Sequence, residues 1–324
     1  MLYTIDRVQY ANTNGQYYFF EFMEVNNING LIGNNNQLLN QGHFWEALFT
    51  MISNVEVGKI NFLRGYQHAV RLFIFYQQGI NKYVLIEINP YINQTNGYIL
   101  TFDQLQQWFR GVNNIDGQSN SKGLGAARNT NIDSYVNGLL QSIYNDNQFQ
   151  DDNGLVLTKN LLNGDTTKGF DLDLFQYIPS TNEYVIYEFL KRENHHINNI
   201  QAHPMRYCWT GSSSDNKQKY ISLWNTKQQL NGRLFLINYS DNPNEKISVI
   251  EVLSLDTARG ITSENKYCIS RSIFLGWLHD MKNYNSNNRD YFSDFKGIHY
   301  NQEFFGNFNE NKRNYGSEFS NIFI

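Results

Sequence analysis

Two neighbouring segments of the sequence place ionisable side chains at spacings that suit phosphodiester chemistry. Asp171 and Asp173 lie two residues apart in residues 169–179, which read GFDLDLFQYIP. Residues two apart in a strand share a face, so both carboxylates point the same way. Glu188 and Lys191 lie in the next apolar segment, EYVIYEFLKR. We therefore expect the four side chains to lie near one another if the two segments pair.

The burial cost of Glu188 indicates what these side chains would hold. Its neighbours are apolar on both faces of the predicted strand, and a buried carboxylate is costly unless it is paired, protonated or bound to a cation. Mg²⁺ takes one or two carboxylates plus waters and phosphate oxygens, and such an ion acidifies a bound water and stabilises charge at phosphorus. We expect Asp171, Asp173 and Glu188 to bind Mg²⁺ or Mn²⁺, with Lys191 serving the attacking water.

The elements around these segments predict how they are positioned. Ser180-Thr181-Asn182 between the two segments is a hairpin signal, and helical periodicity over residues 132–144 precedes them. A helix ending near Leu230 and strand segments over residues 233–239 and 246–253 follow. The order helix, hairpin, helical crossover, strand and strand predicts an α+β fold with a mixed β-sheet flanked by helices.

The first third of the chain predicts an additional N-terminal α+β region. Helical periodicity covers residues 42–54, and a capping threonine opens a second short helix over residues 101–109. Aromatic and β-branched runs predict strands over residues 16–25, 70–76 and 82–89. This region would recognise substrate or form a dimer interface.

Composition divides the chain into four parts. Residues 113–131 are rich in Gly, Asn, Ser and Gln, which is typical of a linker or a long loop. They separate the N-terminal region, residues 1–112, from a catalytic domain over residues 132–282, and an irregular segment rich in Asn and aromatic residues follows over residues 283–324. Gly123-Leu124-Gly125 is not a phosphate loop, because no strand precedes it and no lysine follows in the required place. No internal repeat is apparent.

Composition also excludes several classes of protein. The 324 residues carry a formal net charge of −4, with 15% aromatic and 17% charged residues. This charge rules out a globally basic nucleic-acid binder but allows a local basic groove. Cys208 and Cys268 are too few for a disulfide framework or a four-thiolate metal site. Without a signal-peptide pattern or an apolar run of membrane-spanning length, the expected location is the cytoplasm, away from membranes.

The hairpin and its surroundings resemble the PD-(D/E)XK nuclease superfamily over roughly residues 130–255. The similar features are a preceding helix, a following crossover and strand, and two motifs: the glycine-led strand Gly169-Phe170-Asp171-Leu172-Asp173 and the strand end Glu188-Phe189-Leu190-Lys191. Gln201 and Tyr207 are similar to a Gln and a Tyr that RecB-like members place downstream, where they would position substrate.

The resemblance implies a restriction-endonuclease-like core and a metal-dependent nuclease that hydrolyses phosphodiester bonds in DNA, of restriction or phage-defence type. Asp173 and Glu188 would bind the Mg²⁺ or Mn²⁺ ion, Asp171 would assist, and Lys191 would serve the water. Cutting a duplex with one site per chain would call for a homodimer.

One departure from the family pattern affects Lys191. The family has a single residue between the acid and the lysine, whereas two residues separate Glu188 from Lys191. In a regular strand this spacing puts the two side chains on opposite faces. A β-bulge would restore the alignment; otherwise another base, such as Lys168 or Lys217, would have to reach in.

Structural explanations for the same residues stay open. Asp171 and Asp173 also suit the solvated face of an edge strand, and Glu188 with its neighbouring charges suits a surface cluster at a strand end. His195-His196 is a weak metal motif, because adjacent residues rarely ligate one ion. The alternative function is a non-catalytic nucleic-acid- or protein-binding module that retains a nuclease-like sheet.

Overall fold

The computed structural model describes residues 2–117, 133–147, 149, 154–178, 182–193, 196–210, 217–282 and 295–321. Several features predicted from the sequence lie outside these residues. They are most of the linker over residues 113–131, with Gly123-Leu124-Gly125, the turn residues Ser180 and Thr181, and His195.

The described part of the chain contains eleven β-strands and nine α-helices. The strands are β1 (Leu2–Ala11), β2 (Gln16–Glu24), β3 (Val70–Tyr76), β4 (Tyr83–Asn89), β5 (Gln94–Leu100), β6 (Phe170–Ile178), β7 (Glu183–Lys191), β8 (Arg233–Tyr239), β9 (Ile247–Asp256), β10 (Gly260–Ile269) and β11 (Ile298–Tyr300). The helices are α1 (Gln41–Phe49), α2 (Asn54–Gly65), α3 (Phe102–Asn113), α4 (Ser134–Tyr144), α5 (Gly154–Leu162), α6 (Lys217–Gln229), α7 (Arg271–Lys282), α8 (Gln302–Gly306) and α9 (Phe308–Asn311). Within the described ranges, none of these helices has the length and apolar character needed to cross a bilayer.

The chain folds as two units. The N-terminal unit comprises Ile5–Asp133 and Gln150–Asp171, and the C-terminal unit comprises Met1–Thr4, Ser134–Phe149 and Leu172–Ile324. This division differs from the one expected from composition in one main respect. Helix α5 belongs to the N-terminal unit, although the sequence assigned its residues to the catalytic domain.

The N-terminal unit is built on a mixed sheet in which β1 to β5 follow one another in order. β2 and β3 are parallel, and the other neighbours are antiparallel. Parallel strands need a crossover, which α1 and α2 provide, and α2 opens with a capping box formed by Ser53 and Glu56. On one face of the sheet, Phe20, Phe22 and Leu72 belong to the core that includes side chains of α3 and α5.

The C-terminal unit is built on a sheet in which β6 to β11 follow one another in order. β7 and β8 are parallel, and the other neighbours are antiparallel. The turns Ile200–Ala202 and Met205–Trp209 and helix α6 form the crossover between the two parallel strands. On one face, Tyr187 and Phe235 pack with Trp277 of α7 and with side chains of α4.

The two units repeat one plan, which the sequence analysis did not detect. Each begins with an antiparallel hairpin, β1–β2 or β6–β7, and continues through a helical crossover into a strand parallel to the second hairpin strand. Two antiparallel strands and a helix follow, β4, β5 and α3 in one unit and β9, β10 and α7 in the other. The expectation that the chain holds no internal repeat was wrong at the level of topology.

The fold class expected from the sequence is confirmed as α+β with mixed sheet flanked by helices. The strands expected over residues 70–76 and 233–239 have the same bounds in the structure. The C-terminal segment is less irregular than its composition indicated, since β11 pairs with β10 and short helices α8 and α9 follow.

A buried polar cluster lies beside β10 in the C-terminal unit. His203 Nε2 and Glu264 Oε2 are 2.8 Å apart between fully buried side chains, and Tyr315 Oη donates to Glu264 Oε1 at 3.0 Å. Lys266 places Nζ 3.8 Å from the centroid of the Tyr315 ring and 4.6 Å from that of Phe319. Burial lowers the pKa of Lys266 to about 7, so folding disfavours its charged form.

We expect Lys266→Met to change how stability depends on pH. An unfolded lysine titrates near 10.4, so between about pH 7 and pH 10 the unfolded chain binds a proton that folded Lys266 does not. The unfolding free energy of the wild type should therefore rise with pH in this window, by up to about 1.4 kcal/mol per pH unit from this group. The variant should be more stable than the wild type at pH 7, and the difference should shrink as the pH rises.

Urea unfolding at pH 7, 8 and 9 measures this difference. Lys312→Met, at an exposed lysine of the same unit, is the matched control and should leave the pH dependence unchanged. A constant difference between Lys266→Met and wild type across the three pH values would contradict the prediction.

Candidate active site

Strands β6 and β7 place Asp173 and Glu188 on one face of the C-terminal sheet. The antiparallel register pairs Leu174 with Tyr187, and both side chains belong to the core shared with α4 and α7. Because side chains alternate along a strand, Asp173 and Glu188 point to the opposite face. Continuing this register by one residue brings the two acidic residues to facing positions of the hairpin.

The Asp173 side chain hydrogen-bonds to the backbone of β7, next to the paired residues of the hairpin. Its Oδ2 accepts a hydrogen bond from the backbone amide of Phe189 at 2.5 Å, and the residue is half-buried. Phe189 directly follows Glu188 in the chain. The bond therefore holds the Asp173 carboxylate against the part of β7 that carries Glu188.

Glu188 is the buried charge of this hairpin. The residue is 2% exposed, and its neighbours in β7, Tyr187 and Phe189, are buried aromatic residues. Lys219 Nζ lies 2.5 Å from Glu188 Oε1, and the Lys219 side chain is 29% exposed. Removing a carboxylate from water costs several kcal/mol unless a partner of opposite charge compensates for it, and the Lys219 ammonium group is such a partner for Glu188.

Lys219 reaches this face because α6 lies in the crossover between two parallel strands. α6 contacts both β7 and β8, and Tyr220, Leu223 and Trp224 are its buried residues that fix it there. Sequence reasoning placed the lysine in the strand and named only Lys168 and Lys217 as alternatives, so it missed Lys219, two residues beyond Lys217 in α6. The signal that could have found it is topological, since a crossover helix must cover the sheet face beside the strands it joins.

Lys191 does not lie beside Glu188. β7 pairs with β8 through a regular register from Val185 to Lys191, so no bulge brings Lys191 onto the face of Glu188. Its Nζ lies 2.7 Å from Asp241 Oδ1, and the Lys191 side chain is 47% exposed. The alignment that the sequence analysis required of Lys191 is therefore not present, and the lysine that meets Glu188 is Lys219.

Three further residues considered from the sequence make contacts elsewhere. Lys168 Nζ donates to the Gly117 carbonyl oxygen, and Lys217 Nζ lies 6.0 Å from the centroid of the Trp209 ring. Gln201 is exposed in the turn that begins the crossover. None of these contacts involves the carboxylates on β6 and β7.

Tyr207 supports the helix that carries Lys219. Its Oη accepts a hydrogen bond from the Arg192 guanidinium and lies 3.0 Å from Tyr220 Oη. Burial raises the pKa of Tyr207, so the phenol is neutral at neutral pH. Because Tyr220 follows Lys219 in α6, Tyr207 is a positioning residue for the lysine.

The expected group of three carboxylates is not found. Among the residues that the structure describes, no three or more His, Cys, Asp and Glu side chains are grouped so that they could hold a metal ion. Asp171, the third expected member, is half-buried at the start of β6 and is assigned to the N-terminal unit. The site therefore consists of Asp173, Glu188 and Lys219.

These three groups have a definite chemical capacity. Two carboxylates can ligate a hard divalent cation that keeps several waters. An ammonium group held at a fixed point can stabilise negative charge that develops on a nearby oxygen. Burial strengthens both effects, because electrostatic interactions at a given distance are stronger in a low-dielectric surrounding than in water.

Comparison with known proteins gives no family assignment. No protein-family model matches the sequence, and no match to a curated protein or to a solved structure was found.

We expect Lys219→Met to destabilise the protein by roughly 2 to 4 kcal/mol, because it removes the ion pair with the buried Glu188 carboxylate. Lys191→Met should change the unfolding free energy by no more than about 0.5 kcal/mol, because both partners of that ion pair are largely exposed. The double variant Glu188→Gln/Lys219→Met should recover most of the loss, since no buried charge is then left alone. Urea unfolding at pH 7 measures all three variants, and equal losses for Lys219→Met and Lys191→Met would contradict the assignment.

Proposed function

We propose that the protein is a metal-dependent nuclease whose active site is formed by Asp173, Glu188 and Lys219. The observation that carries the proposal is the buried Glu188 carboxylate, which is 2% exposed and lies 2.5 Å from Lys219 Nζ. Asp173 accepts a hydrogen bond from the backbone amide of Phe189, the residue after Glu188 in β7. A hairpin that brings two acidic residues to one sheet face is also what the PD-(D/E)XK resemblance implies, but the lysine comes from α6 and not from the second strand of the hairpin. We propose a restriction-endonuclease-like core for the C-terminal unit on the same grounds.

The carboxylates fit a Mg²⁺ or Mn²⁺ ion. Mg²⁺ sites in enzymes of phosphate chemistry use one or two carboxylates and complete their coordination with waters and substrate oxygens. Asp173 and Glu188 supply that number, and the half-buried position of Asp173 leaves the site open to solvent on its side. When bound, the ion would supply a more acidic water and Lewis-acid stabilisation of the phosphoryl group.

Lys219 takes the role that the sequence analysis gave to Lys191. Its ammonium group is fixed beside Glu188 by the ion pair, while more than a quarter of the side chain is exposed. It can therefore contact a phosphate oxygen and stabilise the negative charge that develops during hydrolysis. Tyr207 would keep α6 in place through Tyr220, and Gln201 is exposed to meet a substrate.

DNA is the proposed substrate, and restriction or phage defence in the cytoplasm is the proposed setting. A net charge of −4 means that phosphate contacts must come from a few lysines and arginines and from uncharged polar groups rather than from a global basic surface. Asn and Gln side chains, abundant here, can read adenine edges in the major groove. A homodimer would bring two such sites to a duplex.

A non-catalytic nucleic-acid- or protein-binding module is the second candidate function. The observation in its favour is that each carboxylate already has a partner within the protein, the Phe189 amide for Asp173 and Lys219 for Glu188. In that case the three residues would only stabilise the hairpin and α6.

Cleavage assays distinguish the two functions. Plasmid, linear duplex DNA, single-stranded DNA and RNA are each incubated with the protein in Mg²⁺, in Mn²⁺ and in EDTA. We expect metal-dependent cleavage that falls at least about 100-fold in Asp173→Asn and in Glu188→Gln, because each removes a charged ligand. Lys219→Met should lose about 100- to 1000-fold, the usual effect of removing one group that stabilises a transition state.

Two further variants locate the lysine. Lys227→Met, on the same helix, should retain the wild-type rate, and Lys191→Met distinguishes the two candidate lysines. Loss in Lys191→Met with retention in Lys219→Met would reverse their assignment. Absence of cleavage on every substrate would leave the binding module as the function. Cleavage that survives Glu188→Gln would show that the assigned site is wrong. Circular dichroism of each variant shows that it is folded.

A further inference from the structure

The first two strands of each unit share a sequence pattern. The first strands share an aspartate, a glutamine and a tyrosine at the same spacing: Asp6, Gln9 and Tyr10 in β1, and Asp173, Gln176 and Tyr177 in β6. The second strands share a tyrosine and, four residues later, the pair Glu-Phe: Tyr17, Glu21 and Phe22 in β2, and Tyr184, Glu188 and Phe189 in β7. Each residue of the C-terminal hairpin lies 167 positions after its N-terminal counterpart, for example Asp173 after Asp6 and Glu188 after Glu21. The shared residues include both carboxylates of the candidate active site.

The N-terminal hairpin holds its carboxylates in the same way as the C-terminal hairpin. The backbone amide of Phe22 donates to Asp6 Oδ2 at 2.7 Å, as the amide of Phe189 donates to Asp173. The register pairs Arg7 with Phe20, and its continuation by one residue brings Asp6 to a position facing Glu21. Both acids lie on the face opposite to the core that contains Phe20 and Phe22.

A lysine from the crossover completes this cluster too. Lys59 Nζ forms an ion pair with Glu21 Oε2 and lies 3.8 Å from Asp6 Oδ1. Lys59 belongs to α2, between the parallel strands β2 and β3, as Lys219 belongs to α6 between β7 and β8. The residue type, the strand positions and the origin of the lysine are therefore all repeated.

The shared glutamine fixes the hairpin in both units. Gln9 Nε2 donates to the Val112 carbonyl oxygen near the end of α3 at 2.8 Å, and Gln176 Nε2 donates to the Met281 carbonyl oxygen near the end of α7 at 2.5 Å. α3 and α7 occupy the same place in the repeated plan. Each strand that carries the aspartate is thus anchored to the closing helix by the same contact.

The Glu21 carboxylate has capacity left for a ligand. The residue is 1% exposed, and burial raises the pKa of its carboxyl group well above the ordinary value. Lys59 and the backbone amide of Asp6 are its hydrogen-bond partners, and a carboxylate has about four acceptor positions. Replacing a buried ion pair with apolar residues is often neutral or stabilising. Packing alone does not account for an acidic pair and a lysine at this position in a largely apolar sheet.

We propose that Asp6, Glu21 and Lys59 form a second cation site, which takes a divalent ion of the same class as the site in the C-terminal unit. Asp6 and Glu21 supply two carboxylates, and Lys59 offsets their charge when the ion is absent. The inference extends the proposed function, because it gives each chain two equivalent sites, one for each copy of the repeated plan. Metal binding at the second site does not depend on cleavage.

The two sites differ in exposure. The side chains of Asp6 and Lys59 are 10% and 11% exposed, whereas that of Lys219 is 29% exposed. The N-terminal site is therefore the less accessible one to a large substrate, and ion binding is its more direct readout.

Metal stoichiometry tests the proposal. Mn²⁺ binding is measured by isothermal titration calorimetry and by native mass spectrometry on the full chain, without nucleic acid. The wild type should bind two ions. Asp6→Asn/Glu21→Gln should bind one, and Asp173→Asn/Glu188→Gln should bind one. Asp116→Asn removes an N-terminal carboxylate that accepts backbone hydrogen bonds from Asn12 and Thr13, and it should leave both ions bound.

The outcomes separate this proposal from the proposed function. One ion in the wild type, lost only from Asp173→Asn/Glu188→Gln, overturns the second site and leaves the nuclease site intact. One ion lost only from Asp6→Asn/Glu21→Gln supports the second site and removes the metal from the nuclease site. If the wild type binds no ion, the second site is overturned, and the cleavage assays with nucleic acid decide the nuclease site. Where circular dichroism shows that Asp6→Asn/Glu21→Gln is unfolded, Glu21→Gln alone replaces it, and retention of both ions by that variant overturns the second site.

Discussion

The constraint on which this structure depends is the burial of a carboxylate inside an apolar sheet. Glu188 is 2% exposed between aromatic neighbours, and water cannot stabilise its charge there. A partner of opposite charge offsets this cost, and Lys219 is one. That requirement fixes the position of α6, because the helix must bring one particular lysine to one strand. The crossover is therefore constrained by charge as well as by packing. The hydrogen bond from the Phe189 amide to Asp173 links the same part of β7 to β6.

The sequence predicted the acidic side of this arrangement better than the basic side. Glu188 and Asp173 follow from strand alternation and from the cost of a buried charge, both local properties of the hairpin. Lys219 is 31 positions beyond Glu188, and no local rule connects them. The strands over residues 70–76 and 233–239 were predictable for the same local reason, since continuous apolar runs mark buried strands. Contacts that depend on where a helix packs could not be read from spacing.

Strand β1 was missed because its polar residues conceal its burial. Arg7 and Gln9 are 3% and 1% exposed, although both residue types normally indicate a surface. Arg7 donates to Thr167 Oγ1 at 2.7 Å and to Asn113 Oδ1 at 2.7 Å, and these distant partners make burial possible. Once β1 was overlooked, the repeat could not appear, because half of its pattern lies in that strand.

The different lengths of the two crossovers explain why the sequence pattern shared by the two units is short. The hairpin residues keep a constant separation of 167 positions, but Lys59 and Lys219 differ by 160, so the crossovers have different lengths. What the two units share is then limited to the positions where a carboxylate, a backbone amide and the end of a helix must meet. The apolar neighbours vary freely between aromatic and aliphatic types, since a sheet core tolerates exchange at similar volume. A buried acid and its lysine do not tolerate such exchange singly, because removing either leaves an uncompensated charge. The carboxylate and its lysine therefore stabilise the hairpin only as a pair, and this chain holds that pair twice.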